Sequence, residues 1–232
     1  MTDKSTSLPH STTKTAHWGA SPHSATHAVI LLHGRNGTPQ DIGNRFVSSL
    51  LLPSTESKLC VLAPAAEDRT WYPNRYSADF SQNEPWLSAA VERVEREVQE
   101  LEAAGITRDK IIIGGFSQGA CLTAKYVMRY PAKYWGVFVL AGAMPGLFSY
   151  VVNSLKGLEE FEGVDLKGTR VLVATGDEDP LFKPRAVEWT AWVFSKVNAD
   201  VTKQVYEKVG HQICQESLNT IKEWVKEMNA NT

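Results

Sequence analysis

The chain has 232 residues, of which 43% are hydrophobic and 22% charged, a composition typical of a globular protein. Its formal net charge of −2 argues against a nucleic-acid-binding surface, which needs an excess of basic residues. No apolar run reaches the ~18 residues that a membrane-spanning helix requires. The three cysteines are far apart and form no CxxC pair, which favours reduced thiols and a cytoplasmic location.

The first 26 residues are rich in Ser, Thr and His and contain no apolar segment, so we expect a flexible tail and not a signal peptide. His10, His17, His23 and His27 cluster there, but their spacings match no zinc site. A solvated tail is therefore favoured over a metal site. No later break in composition suggests a linker, and residues 27–232 are expected to form one domain.

Short apolar runs of strand length recur along the rest of the chain, at residues 27–33, 58–63, 110–114, 136–141, 170–175 and 201–207. Residues 29–32 and 111–113 are apolar on both faces of their strands. That pattern is typical of central parallel strands that helices cover on both sides.

Segments with helical periodicity alternate with these strands. Residues 84–104 carry one apolar stripe, and Gly105 is placed to end that helix. The stripe resembles a coiled-coil seam but is short, so packing on a sheet is favoured. Further helices are predicted at 117–130, 184–197 and 215–228. The alternation predicts an α/β fold with a doubly wound, mostly parallel sheet.

The sharpest chemical signal is the pentapeptide Gly115-Phe116-Ser117-Gln118-Gly119, a G-x-S-x-G sequence between a predicted strand and a predicted helix. Alone, such a pattern arises by chance or in any turn of small residues. In this context it predicts a strained turn that exposes Ser117 as a nucleophile, with glycines where a Cβ atom would clash.

A nucleophilic serine needs a base, and in this arrangement an acid and then a histidine follow it along the chain. His211 is the only histidine after Ser117, and it follows the last predicted strand. Asp177, Glu178 and Asp179 compete for the role of the acid, in the loop after residues 170–175. We favour Asp179, because Pro180 stiffens the chain beside it, and expect Asp177 to structure the loop.

Two backbone N–H groups are expected to form an oxyanion hole. One belongs to Gln118, which follows the nucleophile, and the other to the loop 33–37 after the first central strand. We favour Arg35 for the second donor, with Asn36 or Gly37 as alternatives. His33 is expected to be structural and not a second base.

Aromatic residues are concentrated in residues 71–86, which connect a strand to the long helix. Such a segment can line a substrate pocket or simply pack the loop onto the core. The residues predicted to contact substrate are Trp71 and Tyr72 from this segment, Met144 after the fourth predicted strand, and Leu181 and Phe182 after Asp179.

Four segments together resemble the phospholipase/carboxylesterase family of the α/β-hydrolase superfamily, which includes acyl-protein thioesterases. They are His33-Gly34, the serine pentapeptide, residues 176–180 and Gly210-His211. In that family the second aspartate of Gly-Asp-x-Asp-Pro is the triad acid, which implies Asp179. The residue after His-Gly supplies an oxyanion donor, which implies Arg35. The chain departs from the thioesterase pattern at residues 35–37 and at Ala120.

The expected function is that of a serine carboxylesterase with a Ser117–His211–Asp179 triad and no metal or cofactor. Its substrate would be a small-molecule ester or acyl-thioester. An acyl-protein thioesterase or a lysophospholipase would use the same triad, so only substrate profiles separate these activities. A non-catalytic hydrolase-like binding protein is a more distant alternative, because such proteins usually lose a triad residue and none is missing here. Nothing in the sequence indicates the oligomeric state.

Overall fold

The computed structural model describes residues 8–51, 58–145 and 161–231. The strands are β1 (Thr15–Gly19), β2 (His27–Leu32), β3 (Leu59–Pro64), β4 (Ile111–Phe116), β5 (Gly136–Leu140), β6 (Thr169–Gly176) and β7 (Ala199–Tyr206). The α-helices are α1 (Pro39–Leu50), α2 (Trp86–Ala103), α3 (Gln118–Arg129), α4 (Pro184–Lys196) and α5 (Gln215–Ala230). Short 3-10 segments lie at Glu67–Arg69, Phe80–Asn83 and Arg108–Lys110.

The strands form one sheet in the order β1-β3-β2-β4-β5-β6-β7, in which only β1 runs antiparallel to its neighbour. The mostly parallel, doubly wound α/β fold predicted from the sequence is thus confirmed. β2 and β3 are buried along their whole length, as expected of strands apolar on both faces.

Helices cover both faces of the sheet. On one face, the helices α2, α3 and α4 pack against residues such as Ile30 and Ile113. On the other face, α1 and α5 pack against Val29, Leu31 and Ile112. Alternate residues of one strand therefore belong to opposite cores, which requires a near-continuous apolar run. No helix in the described part of the chain is long and apolar enough to cross a membrane.

The N-terminal region differs from the expected flexible tail over residues 8–26, while residues 1–7 of that prediction lie outside the described residues. Residues Thr15–Gly19 form the edge strand β1, which pairs with β3 from Thr15↔Pro64 to Gly19↔Cys60. His10 is buried, accepts a hydrogen bond from the Glu67 N–H at 2.9 Å and binds the Trp71 carbonyl at 3.0 Å. Burial lowers the pKa of His10 and favours the neutral ring that these two bonds require.

A buried arginine connects the same N-terminal region to α2. Arg93 pairs with Glu97 at 2.5 Å, and both side chains are almost fully buried. The Arg93 guanidinium also donates to the Thr15 hydroxyl at 2.6 Å and to the Thr13 carbonyl at 3.2 Å. Thr15 in turn donates to Glu97. The edge strand is therefore attached to the domain by a buried charged network as well as by the sheet.

This network predicts that Glu97→Gln destabilises the protein. The substitution leaves the Arg93 cation buried without its anionic partner. We expect the free energy of unfolding to fall by about 3 kcal/mol. This is the lower end of the cost for a buried ion pair, because glutamine still accepts hydrogen bonds. Urea denaturation measures the change. Glu100→Gln on the exposed face of α2 is the matched control, and equal stability of the two variants would contradict the role of the network.

Candidate active site

The carboxyl ends of the parallel strands lie at one edge of the sheet, where open α/β folds bind their ligands. The loop 33–37 follows β2, and Ser117 follows β4 directly. Asp179 comes three residues after β6, and His211 comes five residues after β7. The topology thus collects at this edge residues that are up to 176 positions apart in the sequence, from Arg35 to His211.

Ser117 lies in a strained turn between β4 and α3, with φ 55° and ψ −119°. A side chain on Gly119 would place its Cβ 2.1 Å from the Leu32 carbonyl oxygen, and one on Gly115 would lie 2.6 Å from the same atom. Only glycine allows α3 to start so close to the end of β2. The turn holds Ser117 at the N-terminus of α3, where the helix dipole provides positive potential.

The three residues predicted to form the triad, Ser117, His211 and Asp179, are joined by hydrogen bonds. Nε2 of His211 lies 2.9 Å from Oγ of Ser117, and Nδ1 lies 2.8 Å from Oδ2 of Asp179. A carboxylate accepts hydrogen bonds, so Nδ1 carries the proton. Nε2 of the neutral imidazole is then free to accept the serine O–H.

Asp179 is held rigidly at the bottom of the site. Its side chain is fully buried, and its Oδ1 accepts the N–H groups of Leu181 at 2.8 Å and Phe182 at 2.9 Å. Thr175 donates its hydroxyl to Oδ2 at 3.2 Å. Burial by itself raises the pKa of Asp179, but the hydrogen bonds from His211, Phe182 and Leu181 outweigh it and lower the pKa. The carboxyl group is therefore an anion that can stabilise a protonated His211.

Asp177 and Glu178 form no hydrogen bond with the His211 ring among the described residues, whereas Asp179 does. Asp177 accepts the Val209 N–H at 3.4 Å, and its own N–H donates to the Tyr206 carbonyl at 2.9 Å. The Glu178 N–H donates to the Val209 carbonyl at 3.0 Å. These bonds join the loop after β6 to the loop after β7, the structuring role that the sequence predicted for Asp177.

The backbone N–H groups near Ser117 distinguish the alternative oxyanion donors. The Asn36 N–H donates to the Arg69 carbonyl at 2.8 Å, and the Gly37 N–H donates to the Gly34 carbonyl at 3.0 Å. Within the described residues, the N–H groups of Arg35 and Gln118 have no hydrogen-bond acceptor. Of the three candidates in loop 33–37, Arg35 therefore has the N–H group that remains available to an oxyanion.

The side chains of these two donor residues hold one common loop. The Arg35 guanidinium donates to three successive carbonyls, those of Tyr72 at 2.9 Å, Pro73 at 2.7 Å and Asn74 at 2.7 Å. The Gln118 amide accepts the Trp71 N–H at 3.0 Å and donates to the Tyr72 carbonyl at 2.7 Å. The backbone around the candidate oxyanion hole and the loop 71–74 therefore form one connected unit.

His33 is part of this framework. Its Nδ1 lies 2.8 Å from the Gly34 carbonyl, an acceptor, so Nδ1 carries the proton and Nε2 accepts the Ala66 N–H at 3.1 Å. Burial lowers the pKa of His33, which favours this neutral form. Both ring nitrogens are occupied, which agrees with the structural role expected for this histidine.

Two cavities open beside the candidate catalytic residues, one lined by Ser117 and the other by His211, and Arg35 lines both. The serine-side cavity has a volume of about 590 Å³ and is lined by residues that include Ser117, Gln118, Tyr72, Tyr76, Leu181 and Phe182. The histidine-side cavity has a volume of about 500 Å³ and is lined by residues that include His211, Phe116, Asp41, Ile42, Arg45 and Ile213.

Of the five residues predicted to contact substrate, three line the serine-side cavity and two are packed in the core. Tyr72, Leu181 and Phe182 line the serine-side cavity, so their substrate contacts stay a prediction. Trp71 and Met144 line neither cavity, so for them the prediction is corrected. Trp71 is fully buried behind the wall, and its indole N–H donates to the His33 carbonyl at 2.8 Å. Met144 is packed in the core, with its backbone N–H bound to the Thr190 hydroxyl at 2.9 Å.

The sequence pattern did not predict several residues that line or contact the site. The Tyr76 ring packs against the Phe182 ring at 4.5 Å, and the Phe116 ring lies 4.8 Å from that of His211. Arg45 and Arg75 line the histidine-side and serine-side cavities respectively. Tyr76 belongs to the aromatic segment 71–86, which is a usable signal. The two arginines have no sequence signal, because only the folded chain brings them to the cavities.

The mostly parallel sheet, with its strained serine turn between strand and helix, places the chain in the class of α/β hydrolases. Residues 19–229 match the model of the Phospholipase/Carboxylesterase family, and the chain belongs to that family.

Among solved structures, a phospholipase/carboxylesterase from Dyadobacter fermentans is 32% identical and superposes with a TM-score of 0.80, covering 92% of this chain and 96% of that one. Acyl-protein thioesterase 1 of Neurospora crassa is 29% identical over 131 residues, which are 56% of this chain and 51% of that protein. A probable SOBER1-like carboxylesterase of Arabidopsis thaliana is 27% identical over 151 residues, 65% of this chain and 55% of that protein. The chain is thus matched over about half the length of these curated relatives.

The geometry predicts that Asp179→Asn lowers kcat for ester hydrolysis by about 10³-fold or more, because an amide cannot stabilise the protonated imidazole and favours the wrong tautomer. Asp177→Asn is the matched control and should stay close to the parent kcat. Steady-state kinetics on a chromogenic ester, with thermal melting to verify folding, makes the comparison. A larger loss for Asp177→Asn than for Asp179→Asn would show that the acid has been assigned to the wrong residue.

Proposed function

We propose that this protein is a serine hydrolase that cleaves carboxylic esters of short or medium acyl chains through an acyl-enzyme intermediate. One observation carries the proposal: the continuous hydrogen-bonded row from Ser117 Oγ through His211 to Asp179, at 2.9 Å and 2.8 Å. A base within hydrogen-bond reach of a hydroxyl, itself oriented by a buried carboxylate, is the arrangement that activates a serine.

In the first half of the reaction, Ser117 Oγ attacks the ester carbonyl while Nε2 of His211 takes its proton. The positive imidazole is stabilised by the Asp179 anion, whose lowered pKa keeps it charged. The carbonyl oxygen becomes an oxyanion that the N–H groups of Arg35 and Gln118 bind. The protonated His211 then gives its proton to the leaving oxygen, and the acyl group stays on Ser117.

In the second half, His211 removes a proton from water, and the resulting nucleophile attacks the acyl-serine carbonyl. The same two N–H groups stabilise the second tetrahedral intermediate. Collapse of that intermediate returns the proton to Ser117 and releases the carboxylic acid. Both halves use the chain's own groups and need no metal or cofactor.

The acyl group is assigned to the serine-side cavity. Tyr76, Leu181 and Phe182 supply apolar surface beside Ser117, and Leu181 is 57% exposed, so its side chain is available for contact. The volume of about 590 Å³ lies within the range of small-molecule sites. We assign short and medium acyl chains to this open cavity.

Acyl-protein thioesterase or lysophospholipase activity is the second candidate, favoured by the similarity to the Neurospora crassa acyl-protein thioesterase 1. We expect kcat/KM to be highest for p-nitrophenyl esters of two to eight carbons. The same assays with a palmitoyl thioester peptide and a lysophospholipid rank the candidates. A higher kcat/KM on either long-chain substrate would replace the first assignment with the second.

The nucleophile is tested by Ser117→Ala. This variant should lose both p-nitrophenyl butyrate hydrolysis and labelling by a fluorophosphonate, because the group that is acylated or phosphonylated is gone. Ser195→Ala, at an exposed position of α4, is the matched control and should keep both. Labelling of Ser117→Ala at the parent rate would show that another residue is the nucleophile.

A further inference from the structure

The side chains that line the two cavities beside the triad carry more positive than negative charge, unlike the chain as a whole. Three arginines line them, Arg35, Arg45 and Arg75, against a single carboxylate, that of Asp41. This is a local surplus of two positive charges in a chain whose formal net charge is −2. All three arginines are exposed, and none forms an ion pair with any of the described residues.

The single carboxylate, that of Asp41, already accepts hydrogen bonds within the fold. Oδ2 of Asp41 accepts the N–H and the hydroxyl of Thr38, both at 2.8 Å, and so caps the start of α1. Arg45 lies one turn further along α1, and its Nη2 donates to the Ile213 carbonyl at 3.0 Å. A guanidinium has five N–H donors, so the Arg45 side chain keeps most of its donors for a ligand.

The chemistry decides which part of a substrate meets Arg45. His211 must pass its proton to the leaving oxygen, so the leaving group lies on the side of the site that His211 faces. His211 lines the histidine-side cavity together with Arg45, whereas Ser117 and the apolar wall line the serine-side cavity. The acyl chain and the leaving group are thereby directed to opposite sides.

We propose that the histidine-side cavity is a leaving-group subsite for an anion, and that this hydrolase prefers esters whose alcohol carries a carboxylate or phosphate bound by Arg45. The guanidinium fork matches both anions in geometry and charge. Arg35, which lines both cavities, adds positive potential while its guanidinium keeps its three carbonyl acceptors. This inference rests on the proposed esterase function and adds a substrate class to it.

Butyrate esters of one size but different charge test the proposal. The set comprises 3-hydroxybenzamide, 3-hydroxybenzoate and 3-hydroxyphenyl phosphate as leaving groups, and product release is followed by chromatography. For the parent enzyme we expect kcat/KM on an anionic ester to exceed that on the neutral amide by about tenfold, the lower range for a charged hydrogen bond. The better of the two anionic esters identifies the anion.

Variants then assign the preference to Arg45. In Arg45→Gln the ratio of anionic to neutral kcat/KM should fall to about one, and Arg45→Lys should restore part of it. Arg129→Gln, at the end of α3 far from Ser117, is the matched control and should keep the parent ratio. Added salt should weaken the preference in the parent, because exposed charges are screened.

The outcomes separate this proposal from the function on which it rests. Turnover of all three esters with no charge preference would overturn the subsite and leave the esterase function intact. An equal loss on charged and neutral esters in Arg45→Gln would assign Arg45 to support of the His211 loop through Ile213, and would also overturn it. A glutarate half-ester carries its anion on the acyl chain instead of the alcohol. If it showed a larger kcat/KM advantage than the anionic butyrate esters, the anion would bind near Arg75 on the acyl side, and the leaving-group subsite would be overturned. Failure to hydrolyse any of the esters would reject both proposals.

Discussion

The close approach of α3 to the end of β2 is the constraint on which the rest of the site depends. The helix can begin there only because Gly115 and Gly119 have no side chains to meet the Leu32 carbonyl. That contact holds Ser117 in a backbone conformation that a free chain rarely adopts. The same turn leaves the first N–H group of the helix, that of Gln118, without an acceptor among the described residues. Packing in the sheet therefore creates both the position of the half-buried Ser117 and its electrostatic environment.

A second layer of contacts makes the site a single unit. Arg35 and Gln118, whose backbone N–H groups we propose as the oxyanion donors, use their side chains to hold the loop 71–74. His10 and His33 hold the preceding residues of that loop from behind, both as neutral rings whose pKa burial lowers. The N-terminal residues thus contribute to the rigidity of a site from which they are distant in sequence. Preorganised donors stabilise developing charge most when they do not have to move.

The parts of the fold that could be predicted from the sequence are those set by local patterns. Buried parallel strands appear in a sequence as apolar runs, and β2 and β4 lie where such runs predicted strands. The order of Ser117, Asp179 and His211 also follows from the motif and the strand–helix alternation. The pattern does not predict β1, because Thr15–Gly19 is a partly exposed edge strand that exists only through pairing with β3. The helix α1 was missed as well, since its apolar side consists of little more than Ile42, Phe46 and Leu50.

The side chains that face the cavities were less predictable than the triad. Trp71 and Tyr72 are neighbours with similar sequence properties, yet one packs behind the wall and the other lines it. Their directions are set by long-range partners, His33 and Gln118 for Trp71, which no local pattern reveals. Arg45 reaches the site from α1, the helix that the pattern missed. The charge of the histidine-side cavity is therefore a property of the folded chain alone.

Covalent trapping of the intermediate tests the proposed serine mechanism most directly. The protein is mixed with excess p-nitrophenyl butyrate, quenched in acid within milliseconds and digested, and the peptides are mapped by mass spectrometry. We expect a butyryl group on Ser117, formed together with a burst of nitrophenol, and little of either in the His211→Ala variant. Butyrylation at any other residue, or steady turnover with no acyl-enzyme and unchanged rates in His211→Ala, would contradict this mechanism.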